Sequence, residues 1–112
     1  MIRNRSNVPK KEWAPNHFAW ALVENDELSV KLEEIPIGGK SNIHYHKRAR
    51  QFFFVLNGKA TVKVENQEHL LKNHDEIEIP QNKRHQISNT GAKKLLFILV
   101  SSPRVLEDDI FE

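Results

Sequence analysis

Three features of the amino-acid sequence predict an all-β fold, an antiparallel sandwich or small barrel. Apolar residues fall in short segments, and no i, i+3, i+4, i+7 stripe persists over ten residues. Several of these segments alternate apolar and polar side chains, the period of a strand with one buried face. Turn signals recur about every 8 to 12 residues, the spacing of sandwiches and small barrels.

The elements follow in order. Residues 1–16 are polar and carry Pro9 and Pro15, which marks an N-terminal arm. His17–Val23 is a first strand, closed by the turn signal Asn25-Asp26. Leu28, Val30 and Leu32 alternate with Ser29 and Lys31, and that strand stops at Pro36 and the Gly38-Gly39 pair. Asn42–His46 reads as a short polar strand, followed by Lys47-Arg-Ala-Arg50. Gln51–Leu56 (QFFFVL) is the densest aromatic run and ends at Asn57-Gly58, a strong hairpin signal. Ala60, Val62 and Val64 alternate with Thr61, Lys63 and Glu65, and Glu65–Glu68 turns the chain into Leu70-Leu71. Glu76–Ile79 alternates again and stops at Pro80. Gln86–Ser88 leads to Asn89-Thr-Gly91, and the apolar run Leu95–Val100 suits a fully buried strand. Residues 17–100 thus form one barrel domain, with 101–112 a peripheral acidic tail.

Composition narrows the function. The chain has 112 residues and a formal net charge of +2, with acids interspersed among its bases, which argues against a nucleic-acid surface. The absence of cysteine excludes disulfide frameworks, thiolate zinc fingers and a cysteine nucleophile. No apolar run approaches the roughly 20 residues of a membrane span, and Met1–Lys11 lacks the apolar stretch of a secretory signal. A soluble cytoplasmic protein is expected. What stands out is six histidines against four glycines and one methionine.

His44 and His46 stand at i and i+2, so on a strand both side chains leave one face and can share an ion. Gln51 lies at an odd offset from His46, so residues 47–50 must bulge or turn to bring it to that face; otherwise it is an ordinary strand-start amide. His85 follows a turn made by Pro80 and Asn82, and by itself reads as a surface or hydrogen-bonded histidine rather than a ligand. His17, His69 and His74 lack a partner at ligand spacing and are assigned to the surface. Trp13 and Trp20 read as core or dimer contacts.

Gly39-x4-His44-x-His46-x4-Gln51-x6-Gly58 resembles the first motif of the cupin superfamily: glycine, HxH, an acidic residue and a closing glycine. Pro80-x-Asn82-x2-His85-x3-Asn89 resembles the second, PxG-x2-H-x3-N, and the separation of the two is cupin-like. The resemblance covers about residues 17–100 and implies a double-stranded antiparallel β-helix, or jelly-roll barrel. It also implies one divalent metal ion (Fe, Mn, Ni, Zn or Cu) held in the barrel mouth by His44, His46, Gln51 and His85. Small cupins often pair through N-terminal strands, so a homodimer is expected. Three positions depart from the pattern. Gln51 replaces the acid, Asn82 replaces the glycine of PxG, and Gly38 rather than Gly39 matches the leading spacing. The segment His44–Gly58 with the late apolar run and Glu107–Ile110 is also similar to mannose-6-phosphate isomerase-type cupin domains. His-x-His-x4-Gln-Phe is similar to isomerases of nucleotide-linked keto-deoxysugars, which are cupins that work without metal.

The glutamine has a chemical consequence. An amide oxygen is a weaker donor than a carboxylate and leaves the ion's charge uncancelled, so the site favours an anionic ligand. Gln51 cannot act as a general base, which leaves proton abstraction to a metal-bound hydroxide or another pocket group. Phe53 shares the face of Gln51, and Ile87 that of His85, so both are pocket candidates. Arg50 joins them if the basic run Lys47–Arg50, with Lys83-Arg84, lines the mouth rather than a solvated loop. The expectation is a metal-binding cupin for a small, anionic or sugar-like molecule, with oxygenase or isomerase chemistry. The contrasting readings are a non-catalytic sensor, in which Gln51 marks lost chemistry, and a metal-free sugar isomerase.

Overall fold

The computed structural model describes residues 1–112 as nine antiparallel strands and one short 3-10 turn. The strands are β1 Lys10–Ala14, β2 His17–Glu24, β3 Ser29–Ile35, β4 Arg50–Asn57, β5 Ala60–Val64, β6 Gln67–Leu71, β7 Glu76–Ile79, β8 His85–Asn89 and β9 Leu95–Ser102. They form a six-stranded sheet, in the order β1-β2-β3-β9-β4-β7, and a three-stranded sheet, β6-β5-β8. This is an all-β jelly roll. No helix is long and apolar enough to cross a membrane.

Strand alternation decides what each residue does. In β4, Gln51, Phe53 and Val55 are buried between the sheets, while Phe52 and Phe54 face outward and are half-buried. Phe97 of β9 meets Phe53 edge-on at 5.7 Å, and Ile35, Val62, Ile79, Ile87 and Leu95 complete a continuous core around them. Each fully buried side chain of this kind contributes roughly 1.5–3 kcal/mol. The core fills the closed part of the barrel and leaves the end nearest Ser29, Gln51 and Ser101 open to polar side chains.

The structure departs from the expected elements in several places. Asn57-Gly58 does not close a hairpin: β4 pairs with β7 and β9, and β5 with β6 and β8, so this turn carries the chain from one sheet to the other. Gly58 serves it with φ +112°, and a side chain there would meet the backbone of Lys94 and Leu95 at 3.2 Å. Asn42–His46 is held by isolated bridges, Lys40 to Ser88, His44 to His85 and Tyr45 to Phe111, rather than as a ladder strand. Within residues 1–16, Lys10–Ala14 pairs with β2 as an edge strand.

The acidic tail is not peripheral. Glu107–Asp109 forms the 3-10 turn, and Asp109 is 2% exposed. In β3 the apolar residues also take the unexpected side: Leu32 stands beside Trp20 and Ile98 on the outer face, while Ser29, Lys31 and Glu33 point into the barrel mouth.

Candidate metal centre and barrel pocket

Two remote segments build the centre. The main chains of His44 and His85 exchange hydrogen bonds, His44 N–H to the His85 carbonyl at 3.1 Å and the reverse at 2.8 Å. That pairing brings the imidazole of His85 to within 4.4 Å of His44 and 5.5 Å of His46, centroid to centroid, with His44 and His46 4.9 Å apart. The nitrogen donors of the three residues lie within 4.8 Å of one another. Asn82 turns the chain before His85 with φ +66°, and its N–H donates to the His46 carbonyl at 2.7 Å. Asparagine tolerates this left-handed conformation, so it fills the place of the motif glycine.

Each imidazole is oriented from its far side. Nδ1 of His44 bonds the Asn42 carbonyl at 2.8 Å, that of His46 the Asp109 carbonyl at 2.6 Å, and that of His85 the Lys83 carbonyl at 2.9 Å. A carbonyl only accepts, so in the neutral rings of His44 and His46 Nδ1 carries the proton and Nε2 presents a lone pair, whereas His85 faces an acceptor at both nitrogens, the Lys83 carbonyl and Gln51 Oε1. His46 Nε2 is buried without a hydrogen-bond partner. Burial lowers the pKa of His44, and it lowers that of His85 to about 4, so both stand neutral at pH 7. Neutral imidazole is the form that binds metal.

Gln51 reaches the same point. Its Nε2 donates to Ser101 Oγ at 3.0 Å, and its Oε1 stands 3.0 Å from His85 Nε2. Its odd offset from His46 is corrected by a turn at Lys47–Ala49, whose three N–H groups all donate to the Asp109 carboxylate at 2.8–3.2 Å. Burial alone would raise the pKa of Asp109, but these amides outweigh it and hold the group below its ordinary range. The donor set fits a borderline divalent ion: three imidazoles and an amide oxygen are grouped together, with His46 Nε2 buried and unpartnered, and His85 would exchange its contact with Gln51 for the ion.

Beside these donors is a cavity of about 340 Å³ whose lining includes His44, His46, Gln51, Phe53 and Ile87. Phe97 and Leu99 supply further apolar wall, and Lys31 and Glu33 are charged groups of its lining. Arg50 is elsewhere. Strand alternation turns it outward from Gln51, where it is exposed and ion-paired with Glu78, so it is not a pocket residue. The neighbouring bases hold the tail instead: Arg48 pairs with Asp108, Lys47 lies 4.4 Å over the Phe111 ring, and Arg84 lies 4.8 Å over Tyr45.

Two residues of the barrel interior escape the sequence reading. Glu33 is buried, and desolvation pushes its carboxyl up to about 7 against the opposing pull of Lys31. Its row in β3 reads as the polar face, and only the sheet order reveals that this face lines the mouth. His17, assigned to the surface, is 8% exposed, with Nδ1 on the Pro15 carbonyl and the ring edge-on to Trp13. A side chain at Gly39 would meet His17 Nε2 at 2.6 Å, so Gly39 gives this ring its room. Gly38 has the separate task of a turn at φ +77°.

A family model described as a cupin domain matches residues 31–101. The uncharacterized protein MJ1618 of Methanocaldococcus jannaschii is 28% identical over 75 residues, which is 67% of this chain and 60% of that protein. The chain therefore matches less than two thirds of that relative's length. Among solved structures, KdgF from Halomonas sp. superposes with TM-score 0.83 at 20% identity, covering 94% of each chain. A sugar phosphate isomerase of the cupin superfamily from Silicibacter pomeroyi gives 0.81 at 18%, covering 94% of this chain and 76% of that one. A predicted oxalate decarboxylase from Thermotoga maritima gives 0.80 at 17%, covering 93% and 100%. At these identities the likeness is one of fold.

Proposed function

The chain belongs to the cupin family, and from that premise we propose that it is a metal-dependent isomerase acting on a small hydroxylated organic acid. One observation carries the reading: the ring nitrogens of His44, His46 and His85 gather within 4.8 Å of one another, with the Gln51 amide on His85, beside an open cavity.

A divalent ion bound there supplies positive charge to a ligand oxygen as a Lewis acid. The four candidate ligand groups carry no formal negative charge, so they would leave the ion's charge available to an anionic ligand group such as a carboxylate. Phe53, Ile87, Phe97 and Leu99 exclude water from one side and favour a ligand with a carbon backbone. Glu33 lies two inward rows from Gln51, with Leu99 and Phe53 in the row between, so it faces the far end of a bound molecule. A carboxyl with a pKa of about 7 both holds and releases a proton at neutral pH. Glu33 is thereby suited to a hydroxyl group and to the proton movement an isomerisation requires. Such a reaction shifts hydrogen within one molecule and needs no external oxidant. The sugar phosphate isomerase of similar fold supports this class over the oxygenases.

The test is a panel of uronic acids, aldonic acids, sugar phosphates and uncharged sugars of equal size, followed by thermal shift and proton NMR with metal-loaded and chelator-treated protein. Binding and isomerisation of the anionic members, lost with the metal, support the reading. Equal binding of the uncharged sugars, or turnover that survives chelation, contradicts it.

A further inference from the structure

We propose that Asp109 is a positioning residue of the metal centre, and that through it the C-terminal segment docks more tightly when the metal is bound. This rests on the metal reading above and adds a residue outside both motifs.

Asp109 acts on the centre through two groups. Its carbonyl oxygen takes the Nδ1 proton of His46 at 2.6 Å, which fixes both the tautomer and the plane of a ring whose Nε2 is buried and unpartnered. Its carboxylate takes the N–H groups of Lys47, Arg48 and Ala49, the turn that delivers Gln51 to the face of His46. Three successive amides aimed at one anion form a concave anion site, and charge-assisted bonds of this kind are about twice as strong as neutral ones. One residue thus sets the orientation of one donor and the placement of another.

The segment around Asp109 is fastened to the same stretch of chain. The N–H of Tyr45 donates to the Phe111 carbonyl at 2.8 Å, and that of Phe111 donates back at 3.0 Å. The two rings stack at 5.3 Å, and the Lys47 ammonium covers Phe111. Ile110 and Glu112 line the cavity beside His44 and His46. Ordering His46 and ordering the tail are therefore one event. By linkage, whatever factor the docked tail adds to metal affinity, the metal adds to docking of the tail.

Two measurements test this. The first is Zn²⁺ and Co²⁺ affinity, by competition with a chromophoric chelator, for wild type, Asp109→Asn and the exposed control Glu107→Gln. Asp109→Asn is expected to bind ~10- to 100-fold more weakly, the usual loss for an outer partner of a ligating histidine. Its cobalt complex is expected to show a shifted visible spectrum, which loss of packing alone would not produce. Glu107→Gln is expected to match wild type. The second uses wild type only, so that misfolding of a variant cannot obscure the answer: amide hydrogen exchange at Asp109 and Phe111 with and without Zn²⁺. Slowing of both amides on zinc addition supports the coupling. Unchanged exchange there, or an Asp109→Asn protein with wild-type affinity and cobalt spectrum, overturns it. Wild type that binds neither metal refutes the centre itself, a distinct outcome that removes this proposal with it.

Discussion

Gln51 Oε1 and His85 Nε2 stand 3.0 Å apart, the amide oxygen in hydrogen-bond contact with the ring nitrogen. That pair is the chemical signature of the site, because a carboxylate in place of Gln51 would cancel part of an ion's charge. Gln51→Glu is therefore expected to raise divalent-metal affinity about tenfold or more and to weaken binding of an anionic probe such as oxalate to the loaded protein. Chelator competition and calorimetry measure the two effects. Parallel gains in both affinities would contradict the charge argument.

Glu33 provides a pH test with a definite sign. Its folded pKa of about 7 lies above the ordinary value of 4.5, so the native state binds the extra proton. The native state is thus favoured below pH 4.5, and that contribution is lost as pH rises through 7. In metal-free protein, Glu33→Gln is expected to gain stability relative to wild type by about 3 kcal/mol between pH 4 and pH 9, following ~1.36 kcal/mol per pK unit. Urea denaturation across that range measures it, and a pH-independent difference would place Glu33 in contact with solvent.

Arg50 provides the negative control that strand alternation demands. Its guanidinium pairs with Glu78 on the outer face, with both side chains more than half exposed. Arg50→Ala is expected to change stability by no more than about 1 kcal/mol and to leave metal and ligand affinity at wild-type values. A loss of ligand binding in this variant would restore Arg50 to the pocket.

Gly39→Ala places a methyl group 2.6 Å from His17 Nε2 and 2.8 Å from Ile35 Cγ2. The overpacking is expected to cost about 1–3 kcal/mol. In a His17→Ala background much of that cost should vanish, since the ring is the principal obstacle. A double-mutant cycle by chemical denaturation gives the coupling, and strict additivity would show that Ile35 rather than His17 is the obstacle.

The candidate ligands were legible because two motifs each fix local chain geometry. HxH places two rings on one side, and Pro80 with Asn82 shapes the turn that precedes His85. The pocket wall was legible where alternation is local, as from Gln51 to Phe53 and from His85 to Ile87. It was misleading in β3, where Val30 and Leu32 mark the outer face and Glu33 the inner one. A sheet with apolar residues on both sides gives alternation no preferred direction, so Glu33 became visible only with the order of β2, β3 and β9. Asn57-Gly58 failed as a hairpin for a related reason: the dipeptide specifies a tight turn, and which strands then pair depends on contacts far along the chain. Asp109 was beyond reach because its partners, His46 and the turn at Lys47–Ala49, lie sixty or more residues away, and an acidic tail carries no periodicity to announce one buried carboxylate.

The central claim is a metal held by residues of both motifs, and metal stoichiometry tests it most directly. Untagged wild type, His46→Ala and His85→Ala would be titrated with Mn²⁺, Fe²⁺, Ni²⁺, Cu²⁺ and Zn²⁺, desalted and assayed by elemental analysis, with circular dichroism as the check on folding. The account predicts one ion per wild-type chain and none in either folded variant. Wild type that retains none of the five ions, or variants that retain them as fully as wild type, would contradict it.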